Sequence, residues 1–341
     1  MNGRPILACL AVAPLCFAAP AAADCLWTYE TEWGGFGSAP GQFQGPQGLK
    51  FNSAGELHVC DAVNHRVQVF DAAGNFIRSF GTFGTTDGRF KQPHDLDFDS
   101  ADNIYVADRI NNRMQKFDPV GNYLTQWGGP GTADGQFDEP WGVAVNDQGH
   151  VFVAERSGNR IQKFTSDGTW LLTFGGLGAG DGQMDGPRGM DFSSDGTLYV
   201  SEIRNNRVSV FDANGVFQFK WGRSGELPGR FHNPNALQID DQDVVHVLCW
   251  HVKAHNGRFQ RFTLSGTFLC EFVGTPGTGP LQFDHAQGLA IGFGPFYYIA
   301  DTLNHRVQMI GQDLVTSAGA PLPQESWGRQ KSRFREGKRA P

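Results

Sequence analysis

Charge is scarce in this sequence. Asp, Glu, Lys and Arg make up only 18% of its 341 residues, against about 25% in an ordinary soluble domain. Gly, at 45, and Phe, at 28, are abundant instead. Few Lys and Glu beside so much Gly and aromatic residue disfavours a helical bundle or a coiled coil. The chain contains no G-x-S-x-G, no P-loop, no zincin motif and no C-x-x-C spacing. The nucleophile elbow, the Walker-type phosphate cradle and the common zinc frameworks are thereby excluded. Basic residues are short too, with 28 Lys and Arg against 35 Asp and Glu, a net charge of −7. Outside Met1–Ala23 and Glu325–Pro341, the body carries −12. Such a body repels polyphosphate, so no nucleic-acid partner is expected. Disorder is excluded from the other side, because 40% hydrophobic residues supply a large core.

The first segment reads as an address. Arg4 is followed by the apolar run Ile6–Phe17 and by the small residues Ala18 to Ala23. This is the pattern of a secretory signal peptide, with cleavage expected before Asp24. The mature chain is therefore expected to be secreted or periplasmic. No later stretch is apolar enough to span a bilayer. Cys25, Cys60, Cys249 and Cys270 remain after cleavage, and four cysteines allow three pairings. At the other end, residues 314–341 form a basic tail without a counterpart elsewhere in the chain, expected to be flexible.

Between these ends a period of 47 residues dominates. Pro46, Pro93, Pro140, Pro187 and Pro234 are equally spaced, as are Gly41, Gly88, Gly135, Gly182 and Gly229. In a sixth copy Ala286 replaces the proline, displaced by 52 residues, so the fifth copy carries an insertion. Each copy holds short β-branched or aromatic runs separated by Gly, Asp and Asn turns, as in Val151–Glu155 and Arg160–Phe164. Four such strands in a repeat of this length make one blade of a propeller. The fold expected over 24–313 is an all-β, six-bladed β-propeller of four-stranded blades. The sixth copy lacks its fourth strand, while Trp27–Gly34 matches Tyr123–Gly128. The N-terminal strand is therefore expected to complete the last blade and close the ring.

The stretch Val59-Cys60-Asp61-Ala62-Val63-Asn64-His65-Arg66-Val67-Gln68-Val69-Phe70 resembles an NHL repeat. Val106-Ala107-Asp108 with Asn112-Arg113, and Ile299-Ala300-Asp301 with Asn304-His305-Arg306, resemble it as well. The resemblance covers about Cys25 to Gln312 and implies a six-bladed NHL propeller, a fold that serves both binding modules and enzymes. A weaker resemblance is to the peptidyl-hydroxyglycine amidating lyase propeller, whose zinc-binding D-x-x-x-H loop is matched by Asp61 and His65. The other zinc histidines of that family follow Pro where this chain has Trp141 and Asn235, and Ile110 stands in place of its catalytic Tyr.

Two kinds of position carry the functional expectation. The arginine after Asn in each copy (Arg66, Arg113, Arg160, Arg207, Arg258, Arg306) is expected to pair with nearby acids and stiffen its blade. The residue after the repeat proline varies instead: Gln47, His94, Trp141, Arg188, Asn235 and, after Ala286, Gln287. Loops on the same face of the propeller add His65, His305 and the insertion with Trp250, His251 and His255. These residues are expected to bind a protein, peptide or small-molecule ligand, in a monomer that needs no cofactor. The alternative is a metal-dependent lyase or hydrolase at the same mouth. Its divalent metal, such as zinc or calcium, would lie on His65, His94 and His305.

Overall fold

The computed structural model describes residues 25–250 and 257–313. The expected signal segment, the basic tail, His251 and His255 lie outside the described residues. Six four-stranded antiparallel sheets form the blades. Blade one consists of Pro46–Phe51, Leu57–Asp61, Arg66–Phe70 and Phe76–Phe80. Blades two to five repeat this order, opening with Pro93–Phe98, Pro140–Val145, Pro187–Phe192 and Pro234–Ile239. The opening strand of each blade packs against those of both neighbours, so six inner strands enclose a central channel.

Burial explains the sequence pattern strand by strand. The second and third strands of each blade are sandwiched between neighbouring blades, and Leu57–Asp61 or Val151–Glu155 is buried throughout. Covered on both faces, they bury polar residues such as Asp61 and Gln68 along with the apolar ones, and those polar groups are hydrogen-bonded. The outer strand Tyr123–Gly128 alternates between part-buried and exposed, which is the period-two pattern of a half-buried strand. Phe43, Phe90, Phe137, Phe231 and Phe283, with Met184 in the fourth copy, are wholly buried and fill the cores between blades. Glycine follows the variable residue in four inner strands because adjacent strands approach closely there. A Cβ at Gly142 would strike the Arg188 carbonyl, and one at Gly288 the Gln47 carbonyl.

Blade six shows how the ring closes. Ala286–Ile291, Phe296–Asp301 and Arg306–Asp313 supply three strands, and Leu26–Gly34 supplies the fourth. The closing pair runs antiparallel from Leu26 opposite Asp313 to Gly34 opposite Arg306. Trp27 anchors it, edge-on to Phe259 at 5.3 Å and to Tyr297 at 5.3 Å. Its Nε1 donates to the Glu271 carbonyl at 3.0 Å. Of the three pairings open to the sequence, the structure holds Cys25–Cys270, which ties the closing strand to the outer strand of blade five. Cys60 and Cys249 are buried free thiols.

The six repeat arginines are fasteners. Arg66 Nε donates to Asp61 at 2.9 Å, and its other nitrogens donate to the carbonyls of Ser38, Ala39 and Gln42 in the loop entering the blade. Arg113–Asp108, Arg160–Glu155, Arg207–Glu202 and Arg306–Asp301 repeat the ion pair at 2.7–2.8 Å. In blade five Cys249 takes the place of the acid, and Arg258 turns to Glu271 on the neighbouring strand instead.

Candidate functional site

The variable residue of each blade is the second residue of its inner strand, so all six project into one ring at one end of the channel. Four of them are buried: Asn235 is 3% exposed, His94 6%, Arg188 7% and Trp141 8%. Gln47 and Gln287 are part-buried. They interlock with one another more than they present an open surface. Arg188, on blade four, donates to Asn235 Oδ1 at 2.6 Å beside it. Its other nitrogen reaches across to Gln287 of blade six, and to His94 Nε2 of blade two at 3.3 Å. One side chain thereby bridges the mouth.

The contacts fix the state of His94. Its Nδ1 lies 3.2 Å from the Trp141 carbonyl, which can only accept, so Nδ1 carries the proton and Nε2 accepts from Arg188. Burial, followed by the charges of Arg188 and Arg109, holds the imidazole well below its usual pKa and therefore neutral. Trp141 lies against His94 with centroids 3.9 Å apart and the rings inclined at 42°. Three guanidiniums lie against its indole: Arg188 at 4.3 Å, Arg109 at 4.5 Å and Arg156 at 4.6 Å. Glu139 is the acid that Arg109 and Arg156 share, paired with the first and 3.7 Å from the second. Burial, reinforced by Arg156, pushes Arg188 down to about 9.

Below the ring lies a cavity of about 40 Å3 lined by the inner strands. It has room for about three or four waters at roughly 10–15 Å3 each. Asp95 lines it, and burial pushes its carboxyl up to about 7 even though the Val143 N–H donates to it at 3.3 Å. Farther along, Lys50 Nζ sits 3.2 Å from both Asp97 Oδ1 and Asp191 Oδ1, joining three blades across the channel. Burial works against the charged lysine, but the two carboxylates outweigh it and raise its pKa.

Other residues singled out in the sequence lie elsewhere. His65 and His305 occupy a left-handed turn position, with φ of 58° and 57°. Each accepts a backbone N–H of the following blade on Nδ1: His65 from Gln92, and His305 from Gly45, both at 3.1 Å. Asn112, Asn159 and Asn206 do the same with their side-chain oxygens in blades two to four. His94 sits apart from them in the ring. Among the described residues no three His, Cys, Asp or Glu side chains come together as a metal site. Trp250 lies against His285, with centroids 4.0 Å apart and the rings inclined at 31°, where the fifth-blade insertion begins. Arg109 and Arg156 were not anticipated. Their signal was present, since both directly follow the repeat acid, where other copies have Ala62, Ile203 and Thr302.

Three segments, residues 43–70, 90–117 and 137–164, match the NHL repeat family model. A B-box type zinc finger protein of Caenorhabditis elegans is 46% identical over 48 residues, which are 14% of this chain and 6% of that protein. The protein brain tumor of Drosophila melanogaster is 42% identical over 48 residues, 14% and 5% of the two chains. The chain thus spans a small fraction of these curated relatives. Among solved structures, a streptogramin B lyase superposes with TM-score 0.58 at 16% identity, covering 86% of this chain and 100% of that one. A protein of unknown function from Bacteroides thetaiotaomicron gives 0.64 at 12% identity, covering 85% and 77%. A gluconolactonase from Xanthomonas campestris gives 0.58 at 14%, covering 85% and 91%. At these identities the likeness is one of fold.

Proposed function

We propose that this six-bladed NHL-repeat propeller is an exported binding module that recognises a protein segment, a peptide or a small molecule at the ring closing one end of its channel. One observation carries the reading. In a frame where Pro, Gly, Phe, the acid and Arg recur in most copies, the position after the proline varies, and Arg188, Asn235, Gln287, His94 and Trp141 at that position meet one another. A purely structural position would be free to repeat as its neighbours do. Export is supported by the leader pattern of Met1–Ala23 and by the Cys25–Cys270 disulfide, a bond suited to an oxidising compartment.

The second reading, a metal-dependent lyase or hydrolase, has His94 in its favour, a neutral imidazole at the mouth. It has less support from His65 and His305, whose Nδ1 atoms are engaged by backbone N–H groups. A stoichiometric transition metal that is lost in His94→Ala would reverse the order of the two readings. The binding reading is tested by thermal-shift screening of a small-molecule and short-peptide library. The screen compares the wild-type chain, the triple variant Trp141→Ala/Arg188→Gln/Trp250→Ala and the outer-strand control Trp170→Ala. Ligands of the mouth should shift the wild type and the control but not the triple variant. Hits indifferent to the triple substitution would overturn the reading.

A further inference from the structure

Resting on the reading of the mouth as a binding site, we propose that its ligand is an apolar molecule ending in a carboxylate, held by Arg188 with Trp141 and Asn235 beside it. The contrast within the chain is the first argument. Where Arg113 and Arg207 are buried, each has a buried carboxylate, Asp108 or Glu202, within 2.8 Å. Arg188 is equally buried, yet its guanidinium meets only the neutral groups of Asn235, Gln287 and His94. A buried guanidinium without a bonded carboxylate is unfavourable. Among the described residues the other buried arginines, Arg113, Arg207, Arg258 and Arg306, each have one, whereas Arg188 has only the Asp95 carboxyl acting on it without a hydrogen bond. Arg109 and Arg156 lie against the same indole, with Glu139 as their shared acid. The mouth is thus left with an excess of positive charge.

Unpartnered donors give the second argument. Trp141 Nε1 and Asn235 Nδ2 belong to side chains less than a tenth exposed, both lining the channel, and neither has a hydrogen-bond partner among the described residues. Each can only donate, so these two atoms call for an acceptor, beside Gln47 Oε1 in the same ring, which calls for a donor. A carboxylate supplies two acceptor oxygens in the plane of the guanidinium fork and would replace the neutral acceptors that Arg188 now uses. The body charge of −12 favours a singly charged carboxylate over a phosphate dianion, which would enter against stronger long-range repulsion. Lys50, deeper in the channel, already has two carboxylates and offers no competing site. The apolar part of the ligand follows from the loops between second and third strands, where Val63, Ile110 and Leu303 of blades one, two and six are 49%, 45% and 49% exposed. A free organic acid and a peptide C-terminus share this chemistry.

Isothermal titration of the whole chain separates the possibilities, using phenylacetate, phenylacetamide, N-acetyl-glycyl-phenylalanine and the C-terminal amide of that peptide. At least one acid should bind with 1:1 stoichiometry, at least tenfold more tightly than its own amide. Arg188→Gln should weaken that acid at least tenfold. Arg156→Gln, at a part-exposed guanidinium whose loss the fold tolerates more easily, should weaken it several-fold. Binding by phenylacetate alone identifies the free-acid source, and binding by the peptide alone the chain-terminus source. Amides that bind as tightly as acids, and lose affinity in Trp141→Ala, would overturn the carboxylate while leaving the mouth as the site. Acids that bind equally well to Arg188→Gln and Arg156→Gln would overturn both. Absence of binding by all four probes would overturn the carboxylate proposal, and the library screen would then decide the mouth independently.

Discussion

Replacing Cys25 with Ser should reveal how strongly ring closure stabilises the fold. The Cys25–Cys270 bond spans 245 residues, nearly the whole propeller. Loop-closure entropy for a cross-link of that span restricts the unfolded chain by about 5–6 kcal/mol, and native disulfides generally deliver about 2–5 kcal/mol. Against a total stability of about 5–15 kcal/mol this is a large share. The native strand should stay in place, because Leu26–Gly34 keeps its register with Arg306–Asp313 and Trp27 keeps its aromatic neighbours. Guanidinium unfolding followed by Trp fluorescence and far-UV circular dichroism measures the loss. The midpoint should fall, and the slope should steepen because the uncrosslinked unfolded chain exposes more surface. Cys25→Ser, Cys270→Ser and the double variant should lose equal stability, since all three remove one bond. Unchanged stability would refute the closure argument.

Other perturbations probe the packing and the channel. Trp27→Ala removes a part-buried indole and its hydrogen bond to Glu271, and should lower unfolding free energy by about 2–4 kcal/mol. Trp170→Ala, at a side chain 40% exposed on an outer strand, should change it by less than about 1 kcal/mol in the same denaturation assay. Asp108→Ala strands the buried Arg113 and removes one of the acceptors of Asn111 and of Gln115, so a loss of about 3–5 kcal/mol is expected by denaturant titration. Asp95, pushed up to about 7 by burial, retains below that pH a proton that the unfolded chain releases near its ordinary value of about 4. Its contribution to stability therefore falls as pH rises from about 4 to about 7. Asp95→Asn should flatten that part of the profile in thermal melts across the window, and an unchanged slope would contradict the assignment.

The blades were legible because every copy solves the same packing problem with the same residues. Pro46 opens an inner strand, Phe43 fills a core, and Asp61 with Arg66 fastens a loop; each of these solutions recurs at 47-residue intervals. Closure was legible for the same reason, since Trp27–Gly34 is an outer strand displaced to the front of the chain. The interior of the ring was harder to read. Arg188 meets His94 from 94 residues away, across the channel, and no local pattern encodes how far a guanidinium reaches. Lys50, Asp97 and Asp191 share one repeat position, so their cluster could have been found by reading the inner strands in parallel. The same comparison would have identified His65 and His305 as stand-ins for Asn112, Asn159 and Asn206. An imidazole nitrogen and an amide oxygen serve equally as acceptor for the N–H of the next blade.

The central claim, that ligands are recognised at the ring around Trp141, is tested most directly by 19F NMR of the chain labelled with 5-fluorotryptophan. The 8 tryptophans give separate probes, and Trp141→Phe and Trp170→Phe assign the two resonances that matter. Titration with a confirmed hit from the library screen should shift the Trp141 resonance progressively to saturation and leave Trp170, on an outer strand, unmoved. A shift at Trp170 with Trp141 unchanged would place binding on the outer surface of the blades and contradict the account.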